Sequence, residues 1–357
     1  MKNRNLIIKL LLVEGPVSRI RLSRLTGLTK MAVTNIINEL LEEGIVQEAG
    51  VQMDTMLGRR PVNLDIVPGC KLYLGLYISR NYLYAVVGDL KGTIVLEGRT
   101  ALLDETNETL LEKAFQLCDK MLKKKSEIQS IGISCIGPLE IQSIGISCIG
   151  PLDAAGGVIL NPPNFYHVAD LPIVKRLGER YCLPVYLEKD MNTSVLAEKY
   201  FGKAKDIADF IYIGVTNGIG AGMMFNNKLY TGERGFGGEF GHICVDPGGK
   251  RCSCGNRGCL EMYASVPREG EMDVEAACRY LAVGVTTLIN LFDPKRIYIG
   301  HDIARLRNKP VRLLKEYISQ NYISRNFKDI PIELSAFGDK SPIHGALALC
   351  VANYLGI

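Results

Sequence analysis

From residue 71 onward the chain runs through one order of elements twice, and that repetition limits the fold more than any other feature. KLYLGLYI, YLYAVVGDL and GTIVLEGRT are three apolar, β-branched runs separated by turn residues. An amphipathic helix follows over about 106–124, then a strand, a helix near 172–181 and the strand LPVYLE. From 190 the order resumes with the helix MNTSVLAEKYFG, the strands DFIYIGV and AGMMFNN, a cysteine-rich insertion and a long helix around 274–292. The strand RIYIG, another helix, the strand IPIEL and a helix over 342–355 complete the second round. Strands followed by αβ alternation, twice over, predict a duplicated α/β body with a cleft between its halves.

An apolar content of 47% in 357 residues supports two or three packed domains. The run IIKLLLV near the start is short, is broken by Lys9 and meets no small-residue cleavage site, so it does not read as a leader. Eighteen consecutive apolar residues occur nowhere, which predicts no membrane span and a cytoplasmic protein. The eleven cysteines are then not a disulfide framework. Cys70, Cys118, Cys135, Cys148, Cys182, Cys278 and Cys350 stand alone among apolar residues and, with Cys244, are expected to be small buried hydrophobes. The unit EIQSIGISCIGPL occurs twice in tandem, at 127–139 and 140–152. A thirteen-residue strand and turn matches no solenoid period, so only one copy can take the expected strand and the other must loop out or extend an edge.

The start of the chain is different in kind. Residues 1–30 carry seven Lys/Arg against the single acid Glu14, on a chain whose formal net charge is only +4. NLIIKLLLV can form a helix that Gly15-Pro16 stops. Ser18 can cap a second helix, RIRLSRLT, burying Ile20, Leu22 and Leu25 and ending at Gly27. Thr29 can cap a third, in which Val33, Ile36, Ile37, Leu40 and Leu41 form the apolar stripe before Gly44. Two short helices joined at a glycine make a helix-turn-helix. Lys30, Met31, Thr34, Asn35 and Asn38 then face outward, where a recognition helix meets base edges; a plain solvated face is the alternative. IVQEAGV and RRPVNLDIV can pair as a wing, and Arg59 and Arg60 suit a minor groove. Together these features predict a DNA-binding head, although winged helices also mediate protein contacts.

The stretch HICVDPGGKRCSCGNRGCLE, residues 242–261, holds four cysteines and a histidine; with Cys244 set apart as above, it offers three thiolates and an imidazole within eighteen positions. His242, Cys252, Cys254 and Cys259 make a four-ligand set suited to Zn²⁺, with reactive or merely buried thiols as the other reading. Four protein ligands leave no open position for an activated water, so the expected zinc is structural.

These residues resemble the ROK group of bacterial repressors and sugar kinases over nearly the whole chain. In the head the resemblance rests on SRIRLSRLTGLTKMAVTNIINELLEEGIV and GRRP; in the body it rests on LEKDMN, GFGGEFGH and CSCGNRGCLE followed by YAS. It implies an actin-like, hexokinase-type (ribonuclease-H-like) α/β body behind a winged helix-turn-helix, divided as 1–69, 70–188 and 189–357, with a zinc knuckle at 242–259. It also implies His242, Cys252, Cys254 and Cys259 as metal ligands, and a sugar pocket lined by Asp190, Glu239, His242 and Glu261. Surface charge is the plainer reading of the two glutamates. Asp190 matches the aspartate that takes the sugar hydroxyl's proton in the family's kinases. Members with such a head regulate transcription in response to a sugar, and those without one are usually kinases.

Two loops separate the chain from the kinases. Where they carry Asp-x-Gly-Gly-Thr at the first hairpin, this chain has Tyr77-Ile78-Ser79-Arg80-Asn81, and the second loop reads Thr216-Asn217-Gly218 in place of Gly-Thr-Gly. Phosphoryl transfer needs backbone amides close to the phosphates and an acid for Mg²⁺, so the substitutions argue against ATP binding and against an enzyme. Lys189 replaces the usual sugar-binding Asn, where it can pair with Asp190 or select an acidic ligand, and the segment after Ser265 is shorter than the family's. The expectation is a sugar-responsive transcriptional regulator, a repressor of carbohydrate genes. It binds a pseudo-palindromic DNA operator as a homodimer or homotetramer and carries structural zinc. An active sugar kinase with an accessory head, and a regulator answering to a protein partner, are the alternatives.

Overall fold

The structure is a computed structural model and describes residues 2–51, 61–124, 140–163, 165–267, 270–319, 321–326 and 329–356. The head opens with α1 (Lys2–Glu14), β1 (Val17–Ser18), α2 (Arg19–Thr26) and α3 (Lys30–Glu42). It ends with β2 (Val46–Val51) and β3 (Val62–Ile66), and the three strands lie in the order β1-β3-β2. The helix boundaries are set by side chains. Ser18 Oγ accepts from Arg21 N at 3.4 Å and Thr29 Oγ1 from Ala32 N at 3.2 Å. Gly27 closes α2 at φ +71°, a left-handed position that makes the turn of the helix-turn-helix. Val33, Ile37 and Leu40 are buried as the stripe requires, and Leu22 is buried in α2. Ile20 and Leu25, expected inside, are each 46% exposed. Leu22 is the one buried residue of α2.

The body contains two sheets of one design. In the first, β4 (Leu72–Ile78), β5 (Tyr82–Asp89) and β6 (Ile94–Ala101) are antiparallel, and β7 (Ile141–Cys148) and β10 (Val185–Lys189) extend from β4 in parallel. In the second, β11 (Phe210–Val215), β12 (Ile219–Phe225) and β13 (Lys228–Tyr230) are antiparallel, with β14 (Arg296–Gly300) and β15 (Ile332–Leu334) parallel beyond β11. The orders β10-β7-β4-β5-β6 and β13-β12-β11-β14-β15 are the same arrangement twice, as the repeated pattern predicts. β8 (Leu152–Asp153) and β9 (Val158–Ile159) form a separate two-stranded antiparallel hairpin. Strand β7 is formed by the second copy of the tandem unit, while the first copy, 127–139, lies outside the described residues.

Helices cover both faces of each sheet. α4 (Asn107–Lys123) and α5 (Ile173–Tyr181) share a core with the outer face of the first sheet. α8 (Val274–Phe292) and α9 (Lys309–Ile318) do the same for the second. α8 is the one helix among the described residues long and apolar enough to cross a membrane by length and composition, but half of that window is buried. Between the sheets, α6 (Asp190–Tyr200) packs on the second sheet, α10 (Ser341–Leu355) packs on the first, and the two helices pack on each other. Small residues allow this approach. A Cβ at Gly145 would lie 2.1 Å from the carbonyl oxygen of Ala346, one at Gly222 2.4 Å from that of Met191, and one at Gly345 2.6 Å from the Thr193 backbone. α10 also carries the head: Asn5 Nδ2 donates to Leu355 O at 3.1 Å, and Ile7, Ile8 and Leu11 share one core with Leu347, Val351 and Leu355.

Cys118, Cys148, Cys278 and Cys350 are buried as expected, Cys70 is half-buried, and Cys135 lies outside the described residues. Cys182 and Cys244 are exposed, contrary to expectation, because Cys182 occupies the left-handed cap of α5 and Cys244 lies on a loop.

Candidate functional site

The cleft between the sheets gathers residues from four segments. Asp190 is the first residue of α6, directly after β10; Glu239 precedes the short turn Phe240–His242, which contains His242; and Glu261 opens α7 (Glu261–Ala264). All four line one cavity of about 170 Å³ together with Arg80, Lys189 and Asn217. That is a monosaccharide's scale, well below the usual range for drug-sized ligands. The sequence-expected sugar residues therefore share one wall.

Asp190 is buried, and its carboxylate accepts from Met191 N at 2.9 Å. Burial raises its pKa to about 6, against the opposing pull of the Met191 N–H, Arg80 and Lys189. Lys189 pairs with Glu239, not Asp190: its Nζ lies 2.6 Å from Gly237 O and 3.2 Å from Glu239 Oε1. Behind Asp190 lies a residue that pattern reading missed. His301 sits just past the carboxyl end of β14 at φ +66°, 2% exposed, with Nδ1 2.9 Å from the Tyr212 hydroxyl and Nε2 3.9 Å from Asp190 Oδ2. Burial drives its pKa down to about 3, so it is neutral. The available signal was positional: ligands in open α/β sheets bind at the carboxyl ends of strands.

The two loops expected to have lost their phosphate cradles use their polar backbone groups internally. In the β4–β5 turn, Ser79 Oγ accepts from Asn81 N at 3.3 Å and Tyr82 N at 3.1 Å. In the β11–β12 turn, Thr216 N donates to Gly218 O at 2.8 Å and Gly218 N to Thr216 Oγ1 at 3.2 Å. Across the cleft Arg80 Nη1 donates to Asn217 Oδ1 at 2.9 Å, so the two loops hold each other.

The knuckle folds around glycine. Gly258 has φ +70°, and a Cβ there would lie 1.7 Å from Asp246 O, so only glycine lets the chain return on itself. Single β-bridges join Cys244 to Cys259 and Arg251 to Arg257, and Tyr263 anchors the outer loop through Asp246 Oδ2 at 3.1 Å. The ligand atoms of His242, Cys252, Cys254 and Cys259 all lie within 4.8 Å of one another. Cys254 Sγ and Cys259 Sγ are 3.6 Å apart, and Cys252 Sγ is 3.7 Å from His242 Nδ1. A tetrahedron with Zn–S of about 2.3 Å and Zn–N of about 2.0 Å has edges of about 3.5–3.8 Å, so this cluster fits a metal. With Nδ1 turned to the cysteines, Nε2 is the nitrogen left for the cavity. Glu261 Oε1 lies 3.1 Å from Cys252 Sγ, so Glu261 joins the knuckle to the cavity wall.

On the head, Lys30, Met31, Asn35 and Asn38 are exposed. Thr34 is half-buried, and its hydroxyl donates to Lys30 O at 2.8 Å. Arg59 and Arg60 lie outside the described residues.

A helix-turn-helix head docked on a duplicated α/β body with a ligand-sized cleft defines a DNA-binding regulator with a sensor domain. The chain belongs to the ROK family, whose sequence model matches residues 73–267, more than half of its length. It is 29% identical to the xylose repressor of Caldicellulosiruptor bescii over 398 aligned positions, covering 99% of this chain and 96% of that one. A solved ROK family transcriptional regulator, a homologue of Escherichia coli Mlc, superimposes with a TM-score of 0.80 at 26% identity, over 99% of this chain and 96% of that chain. The ROK hexokinase of Thermus thermophilus matches with a TM-score of 0.66 at 27% identity, over 79% of this chain and 99% of its own. The fold is therefore the actin-like, kinase-type one, and the chain is a transcriptional regulator of this family.

Proposed function

We propose that the protein is a sugar-responsive repressor of carbohydrate genes, whose cleft binds its ligand without phosphorylating it. The observation that carries this is the state of the two loops. The amides of Ser79, Asn81, Tyr82, Thr216 and Gly218 are bonded within the turns, and Arg80 donates to Asn217 between them. A phosphate arriving there finds those backbone amides already occupied, so Asp190 has no cradled phosphoryl group toward which to direct a hydroxyl. In this reading Asp190, Glu239, Glu261 and His242 bind sugar hydroxyls. His242, Cys252, Cys254 and Cys259 would hold Zn²⁺, which would supply a fixed charge to the thiolates, and the knuckle would thereby pin the His242 ring.

The route to DNA runs through two helices. Asp190 begins α6, α6 packs on α10, and α10 holds α1 of the head through Asn5 and the shared core. A ligand that binds one arrangement of this stack better than another shifts the head's geometry. Lys30, Met31, Thr34, Asn35, Asn38, Arg59 and Arg60 contact the operator, and two heads of a homodimer or homotetramer read its pseudo-palindromic halves. We retain the division 1–69, 70–188 and 189–357 and place the protein in the cytoplasm with its DNA.

The test is selection of randomised duplexes on the purified chain, followed by anisotropy with xylose, glucose and N-acetylglucosamine, beside a coupled ATP-turnover assay on the same sugars. The expected result is an enriched two-fold sequence whose affinity changes with one sugar, and no turnover. ATP-dependent phosphorylation that Asp190→Asn abolishes would refute the proposal, as would failure to enrich any duplex.

A further inference from the structure

The cluster that fits a metal has a further cysteine beside it. Cys244 is exposed and is not among the residues whose ligand atoms come together. Its backbone, however, is fixed directly opposite one of them. Cys244 and Cys259 are partners in an antiparallel β-bridge, bounded on one side by Leu260 N donating to Ile243 O at 2.9 Å and on the other by Val245 N donating to Gly258 O at 2.8 Å. Because the bonds flank the pair, it is of the non-hydrogen-bonded kind, with both side chains on one side of the ladder and Cα atoms about 4.5 Å apart. A disulfide spans about 4.4–6.8 Å between Cα atoms. The pair can therefore be bridged once the Cys259 sulfur turns from the cluster toward Cys244. Among the described residues, no other cysteine faces a cysteine across a ladder.

The two sulfurs differ in what they can do first. Cys244 is reachable from solvent and stands outside the ligand set. Cys259 is fully buried and sits inside it. Cys254 is exposed as well, but its sulfur lies 3.6 Å from that of Cys259, within the cluster. A thiol that is both accessible and free of metal is the first to meet an oxidant, and a cysteine held opposite it is placed to resolve the product.

We propose that Cys244 is a peroxide-sensitive thiol that captures Cys259 as a disulfide and so opens the knuckle. The proposal rests on the zinc reading above. The Cys244 sulfur attacks one oxygen of hydrogen peroxide: the S–O bond forms, the O–O bond breaks, and the other oxygen leaves as water with the thiol proton. The Cys259 thiolate then attacks the sulfenic sulfur: the S–S bond forms, the S–O bond breaks, and the departing hydroxide takes a proton from solvent. An electron pair passes from the sulfurs to the peroxide, which ends as water. His242, Cys252 and Cys254 are left as an incomplete ligand set. Glu261, 3.1 Å from Cys252 Sγ, and His242 both line the cavity, so oxidation of the knuckle reaches the wall of the cleft.

The test treats the zinc-loaded full chain with a slight excess of hydrogen peroxide. A chromogenic chelator follows zinc release, and mass spectrometry of unreduced peptides maps the thiol pairing. The expected product is a Cys244–Cys259 disulfide, formed together with zinc release and reversed by dithiothreitol. Cys244→Ser keeps every ligand and changes an exposed side chain, so it should fold and load zinc as the parent does. It is expected to release zinc at least about tenfold more slowly under peroxide. Equally fast release from Cys244→Ser overturns the proposal and leaves the zinc reading standing. A disulfide between Cys254 and Cys259, a Cys244 oxidised without a partner, or zinc that stays bound after the pairing overturns it in the same way. If the purified chain takes up no zinc, the zinc reading falls and this proposal falls with it.

Discussion

The raised pKa of Asp190 makes the pH dependence of ligand binding a sharp test of its role. A sugar hydroxyl that donates to this carboxyl needs it ionised, and the bond in turn favours ionisation. In the free protein the group titrates at about 6, chiefly because it is buried. Its ionised fraction is then about 0.9 at pH 7 and about 0.1 at pH 5, so affinity should fall about tenfold on acidification over that range. Near pH 6 binding should release about half a proton, seen as a heat that varies with the buffer's ionisation enthalpy. The groups facing Asp190 are Arg80, Lys189, Glu239, His301, Tyr77 and Cys148. His301 is held neutral at about 3, and burial drives Tyr77 and Cys148 upward, away from this window. Asp190→Asn should bind more weakly at pH 7 and lose the dependence, while His242, Glu239 and Glu261 stay in place. Affinity that is flat or rises toward acid would refute the reasoning, and so would a pH profile unchanged by Asp190→Asn.

The other predictions use separate parts of the molecule. Elemental analysis should find about one zinc per chain, and Cys259→Ser should lower both the melting temperature and, by about tenfold, the sugar affinity. Gly345→Ala presses a methyl into Thr193 and should cost about 1–3 kcal/mol in urea unfolding. Lys30→Ala should weaken all duplexes about equally and flatten the salt slope by about 0.9, whereas Asn35→Ala should relax preference at one base position. Between pH 6 and 5 His301, His344 and Asp190 together should contribute about one proton to the acid response of stability, or about 1.4 kcal/mol per pH unit. The folded pKa values of His301 (about 3) and His344 (about 4) lie below the unfolded value, so their contribution is lost as pH falls through 6.5. Asp190, raised to about 6, acts in the opposite sense over the same interval. Asp190→Asn should therefore steepen the slope toward two protons, measured by chemical denaturation in matched buffers.

Much of the fold was legible because strand runs, helix stripes and caps are local. Ser18, Thr29 and Gly27 mark ends that follow from one turn of chain, and the twofold order of elements carries the duplicated sheets. The Cys/His cluster was legible for the same reason, since His242, Cys252, Cys254 and Cys259 fall within eighteen residues. What escaped depends on docking. Ile20 and Leu25 fit an apolar stripe but stay 46% exposed. Arg80 and Asn217 are 137 positions apart, and only the closing of one sheet against the other makes them partners. His301 gains its meaning from Tyr212 on β11 and Asp190 on α6, neither of which its own segment indicates. The tandem unit showed that one strand position had two candidates, but nothing in two identical sequences can say which takes it.

The placement of α10 carries a consequence for synthesis. This helix covers one face of the first sheet, backs α6 and carries the head, yet its residues are translated after all three of those partners. Until 341–355 leave the ribosome, Gly75, Gly88 and Gly145 face no helix, and Ile7, Ile8 and Leu11 lack their partners on the body. The recognition helix can form early, but it cannot be held in its working orientation until the end. A chain stalled even a few turns short would carry a folded DNA reader with nothing to aim it.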